Sequence, residues 1–134
     1  MGSEPAKISQ RDEPALIDSE NAETLSQRGL DLLAQGSAEE AAQAFHAAIA
    51  ADCAHVEAHH GLIRALRDAG HLDQSVGAAI ALTTLTPNDP LAHTALSIAL
   101  QNAGQVPQAE AAAGRARILE WKTQLQSEPD GSLP

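Results

Sequence analysis

The 134-residue chain is predicted to be all-α: a row of three helix–turn–helix units, six helices in all, with the last helix extended. Three observations lead there. Alanine is abundant while Phe45 and Trp121 are the whole aromatic complement, and alanine is the residue that loses least on entering a helix. Gly36, Gly70 and Gly104 recur at intervals of 34 residues, in LAQGSAEEA, RDAGHLDQS and QNAGQVPQA. The unit starts and joints keep the same register. Leu25-x-x-Arg28-Gly29-x-x-Leu32 superposes on His59-x-x-Leu62-Ile63-x-x-Leu66 and His93-x-x-Leu96-Ser97-x-x-Leu100, and AADCAHVEA superposes on TLTPNDPLA.

The first helix, about 22–35, stops at Gly36. Ser37 and Glu40 stand three apart as a capping box opening the second helix, about 38–52. Cys53 to His55 form the joint before a third helix, about 56–69, and Gly70 separates it from a fourth, about 72–85. Asp89 followed by Pro90 reads as an N-cap with proline at the first helical position of the fifth helix, about 90–103. Pro107 falls in the first turn of the sixth, about 106–126, where a missing N–H costs little. The units therefore span about 22–55, 56–89 and 90–126. Polar, proline-bearing tails at 1–21 and 127–134 are expected to be mobile, with Ala15–Ile17 apolar enough to dock.

A stacked row must end without exposing its seam. Ala42 and Ile49, then Val76 and Thr83, should face the following unit; their counterparts in the third unit are Glu110 and Arg117, a stop signal. Beyond it Trp121 occupies the position that Pro87 held one unit earlier. Ile118, Trp121 and Leu125 then share one helical face. This stripe either folds back as a lid on the third unit or serves as an oligomer or partner surface.

These features resemble the tetratricopeptide repeat family. Gly29, Leu32, Gly36, Ala41, Phe45 and Ala48 carry the resemblance in the first unit. Leu62, Gly70 and Pro87 carry it in the second, with Ala79 in place of the aromatic, and Leu96, Gly104, Ala109 and Ala116 in the third. The resemblance implies a right-handed α-solenoid whose first helices line a concave groove for a protein or peptide partner. By register the groove presents Glu23, Ser26, Leu30 and Leu33, then Glu57, His60, Arg64 and Arg67, then Leu91, Thr94, Ile98, Gln101 and Asn102. Arg64 and Arg67 make a local positive spot flanked by aliphatics, and guanidinium suits a carboxylate; the alternative is internal pairing with Glu23, Glu57 or Asp68. The lysine/asparagine clamp of chaperone-tail binders is missing, with Ser26, Leu30, His60 and Arg64 in its place.

Eight basic residues against 18 acidic ones leave a net charge of −10, which disfavours nucleic acid and anionic membranes as partners. Protonating all six histidines would move that charge to −4. A single cysteine gives no internal disulfide, and no apolar run suggests a signal peptide or span, so a cytoplasmic location is expected. No phosphate loop, paired-cysteine motif or nucleophile elbow occurs; neither catalytic residues nor a cofactor are expected. Cys53, His55 and His59 are weak metal candidates, able to converge only if the joint folds back. His59 recurs in register as His93, which favours a structural place at the seam between helices, and His60 faces the groove.

Overall fold

The computed structural model describes residues 19–127, and among these it contains six α-helices. They are α1 (Ser19–Ala34), α2 (Ala38–Ala51), α3 (Val56–Asp68), α4 (Leu72–Leu85), α5 (Pro90–Asn102) and α6 (Val106–Ser127). Helix α1 starts three residues before the predicted boundary, with Glu20 in its first turn against the positive end of the helix dipole. Most of the expected tails, including Ala15–Ile17, lies outside the described residues.

The glycine period is a repeated helix stop. Gly36, Gly70 and Gly104 have φ of 82°, 87° and 83°, the left-handed conformation that side chains resist. At each, the glycine N–H bonds a carbonyl three residues back and the next N–H bonds one five back. In the first turn these are Gly36 to Leu33 at 3.0 Å and Ser37 to Leu32 at 2.9 Å. Two orphan carbonyls are thereby satisfied and the chain reverses in two residues.

That turn overrules the expected capping box. Ser37 is the N-cap of α2, but its hydroxyl makes no cap bond. Its φ and ψ of −95° and 68° are set by the turn and lie outside the β region from which an N-cap oxygen reaches the helix N–H groups. Asp89 does cap as expected, its carboxylate accepting from the Leu91 N–H at 2.9 Å ahead of Pro90.

Within each unit the second helix lays small residues on the first: Ala41, Ser75 and Ala109 are all buried. Ser75 Oγ donates to the Ile63 carbonyl at 3.0 Å and Ser97 Oγ to the Ala109 carbonyl at 2.8 Å, pinning the second and third hairpins. Between the first two units Phe45, fully buried, is inserted between Gly29 and Gly61. The second unit exchanges these sizes, with Ala79 at the aromatic's register and Ile63 at that of Gly29. Among the described residues no buried side-chain nitrogen or oxygen lacks a partner.

Both ends of the row are closed by polar residues. Glu110 and Arg117 are exposed, as the stop signal requires. The N-terminal end is closed too, which the sequence reading overlooked. Thr24, Gln27, Arg28 and Asp31 are exposed on α1. Their counterparts Ala58, Gly61, Leu62 and Ala65 on α3 are buried against the preceding unit. The Gln27 amide donates to Asp31 at 3.3 Å on this outer face.

The first helices touch in series, α1 on α3 and α3 on α5, whereas α2, α4 and α6 do not touch one another among the described residues. The inner side is closer-packed than the outer, so the row curves and α3 runs down the middle of its concave face.

Candidate functional site

On α3 the positions expected to face the groove, Glu57, His60, Arg64 and Arg67, recur at helical spacing along one side. Here α3 and α5 part to form a shallow cleft of about 260 Å³, lined by His60, Ile63, Arg64, Arg67, Ala95, Ile98 and Ala99. Four of the expected groove residues therefore meet: His60, Arg64, Arg67 and Ile98. Leu30 and Leu33 on α1 and Leu91, Gln101 and Asn102 on α5 are outside the lining. Leu33 is half-buried and packs on the core between units one and two. Ile63, Ala95 and Ala99 were missed because helix register assigns them to the packed seam; a small residue at 95 leaves the seam open enough to form the floor.

The two arginines differ. Arg67 Nε stands 3.6 Å from an Asp68 oxygen, a loose contact between partly exposed groups and worth little. Neither Glu23 nor Glu57 pairs with it. Arg64 is exposed and has no ion pair among the described residues. It lines the cleft beside an apolar floor, and a guanidinium carries five donors in a fork that matches a carboxylate. His60 is held below the ordinary imidazole pKa by burial, against the Asp89 carboxylate, which raises it, and with neighbouring His59 lowering it further. At neutral pH it is therefore an uncharged ring in the cleft wall.

The metal candidates do not assemble. His59, buried, donates from Nε2 to the Cys53 carbonyl at 2.8 Å, and His93 does the same to the Pro87 carbonyl at 2.8 Å. Both rings clasp the joint ahead of their own helix. Cys53 is exposed and free. His55 caps α3, its Nδ1 accepting from the Ala58 N–H at 3.3 Å. A different trio gathers instead: Glu23, His55 and Glu57, each with one ligand atom within 4.8 Å of the others. The Nδ1 lone pair of His55 is already taken by the cap bond, and no hydrogen bond among the described residues joins its ring to either carboxylate.

At the far end α6 runs on past the third unit. Ile118, Trp121 and Leu125 are 53%, 60% and 56% exposed, so the stripe does not fold back as a lid. The reason is geometric: the helix is continuous to Ser127, and only Ala109, Ala112, Ala116 and Leu119 reach the core.

Stacked helical hairpins around a groove, closed at both ends, define a repeat scaffold. The model of the tetratricopeptide repeat family matches residues 32–97, and the three stacked hairpins have the tetratricopeptide-repeat fold. No curated protein sequence matches it. Similar solved structures share the fold at low identity. The first TPR of Spaghetti (RPAP3), bound to HSP90 peptide SRMEEVD, is 18% identical over 78% of this chain and 82% of that one, with a TM-score of 0.72. The Yersinia enterocolitica type III secretion translocator chaperone SycD is 18% identical over 84% and 81%, at 0.71. MamA is 20% identical over 84% of this chain and 61% of that one, at 0.73. No helix among the described residues is long and apolar enough to cross a membrane.

Proposed function

We propose that the protein is a non-enzymatic interaction scaffold that captures a short segment of a partner protein in its concave groove. The observation that carries this is the α3–α5 cleft, where Arg64, with no ion pair among the described residues, and a loosely held Arg67 border Ile63, Ile98 and Ala95. A segment carrying a carboxylate beside an aliphatic side chain satisfies both halves, with further apolar contact at the exposed Leu30. The SRMEEVD complex of the RPAP3 domain supports peptide capture by this fold. A net charge of −10 keeps nucleic acid out of the reading, and a lone free cysteine fits a cytoplasmic setting. A secretion-type chaperone is a narrower form of the same proposal, and its client would occupy the same cleft.

The test is co-purification from the native cell with mass spectrometry, comparing the wild-type protein with Arg64→Glu plus Arg67→Glu. The partner recovered with the wild type should be lost from the double variant. Unchanged recovery rejects the groove assignment. A second reading, self-assembly through Ile118, Trp121 and Leu125, is favoured by their exposure. Sedimentation of the wild type and Trp121→Ser decides it: a concentration-independent monomer ends that reading.

A further inference from the structure

His60 occupies a place in the cleft that the scaffold does not need. It is half-buried, makes no hydrogen bond that holds the fold, and stands one turn before Arg64 and two before Arg67 on the same side of α3. The cleft wall is thus a ladder of three nitrogen-bearing side chains, two permanently charged and one titratable. Resting on the groove reading above, we propose that His60 couples capture of an acidic segment to proton uptake, so that the groove binds more tightly as the pH falls.

The geometry follows from the lining. A carboxylate seated on Arg64 lies within one helical turn of His60, and the floor of Ile63, Ala95 and Ile98 excludes water from one side, which strengthens charge interactions there. Among the described residues the charged or titratable groups that act on the ring are Asp89, at the head of α5, and His59 beside it on α3. Glu57 stands three residues earlier on α3, and Glu23 holds the corresponding register on α1. Asp89 is occupied as the cap of α5, accepting from the Leu91 N–H. His59 spends its proton on the Cys53 carbonyl. A bound carboxylate is therefore the new charge that His60 meets, and it favours the imidazolium.

The sign follows directly. In the free protein burial keeps the ring neutral at pH 7. With an acidic segment bound, the ring takes up its proton at higher pH than it does free. Between those two points the complex holds more protons than the free protein, so affinity rises as pH falls. It levels off once the ring is protonated in both states, and one proton limits the gain to about tenfold per pH unit.

Fluorescence anisotropy with a labelled, end-blocked peptide of sequence DLEDLED, whose carboxylates remain ionised throughout, tests this between pH 7.5 and 5.5. The wild type should gain about three- to tenfold in affinity over that range. His60→Gln should bind with the same affinity at both ends of that range, whatever its level, and Arg64→Glu should bind poorly at every pH. Far-UV circular dichroism at pH 5.5 checks that each protein stays folded. A pH-independent wild type overturns the coupling, as does a His60→Gln protein that retains the full gain. Binding that ignores Arg64→Glu, or is absent up to millimolar peptide, instead rejects the groove reading on which the coupling rests.

Discussion

Gly61→Ala should destabilise the protein, although alanine is the better helix former. Gly61 lies inside α3, where replacing glycine by alanine ordinarily gains about 1 kcal/mol. Here the added Cβ would stand 2.3 Å from Phe45 Cε1 and 2.4 Å from Cζ. The ring is fully buried, and on its other side the Gly29 position is as tight, a Cβ there falling 2.6 Å from Cζ. The ring therefore has no direction in which to retreat. Overpacking of this kind costs about 1–3 kcal/mol, and a ring wedged on both faces puts the cost at the upper end, leaving a net loss of roughly 2 kcal/mol after the propensity gain. Phe45→Leu removes Cε1 and Cζ, the two atoms nearest the added Cβ, at a smaller loss than the roughly 3–5 kcal/mol of Phe→Ala. In that background Gly61→Ala should turn stabilising by about 1 kcal/mol, so the coupling between the sites is about 3 kcal/mol. Urea denaturation followed by far-UV circular dichroism on the four proteins measures it. If Gly61→Ala is neutral in the wild type, or costs the same in both backgrounds, the wedge does not control packing between the first two units.

Two further tests address the turns and the groove. Gly70→Ala places its Cβ in open space, so its cost is the φ of +87° alone, about 1–2 kcal/mol; Gly70→Asn should lose less in the same melts, and equal losses would point to lost contacts instead. Because burial lowers the His60 pKa in the folded chain, the unfolded chain binds more protons just below pH 6.5. The wild type should therefore lose stability relative to His60→Gln as pH falls from about 7 through that window and no further below the folded pKa, and a pH-independent difference in urea midpoints refutes it.

The helices were legible to within three residues because each is bounded by its own local chemistry: a glycine with positive φ, an aspartate cap, a proline at the first position. Register also grouped His60, Arg64, Arg67 and Ile98, which line one cleft, since position on a helix sets side-chain direction. The same reasoning failed at Ser37, where two local signals compete for one backbone and the glycine turn wins over the capping box. At α1 the polar set Thr24, Gln27, Arg28 and Asp31 was in plain view, but its meaning depends on Ala58, Leu62 and Ala65 being buried one unit later. His55 was placed correctly in the joint, yet its capping bond to Ala58 and its approach to Glu23 come from how two units meet.

By itself, then, the chain's sequence determined how many hairpins there are, how long, and which face of each looks inward, because those properties arise within a single unit of 34 residues. The tertiary structure alone decided what converges. It opened the cleft between α3 and α5 with His60 and Arg64 both in its lining, wedged Phe45 between two glycines, and carried Trp121 out past the last unit. Those outcomes depend on distances between helices about a repeat apart in sequence, which are set by the volumes packed between them and by no local signal.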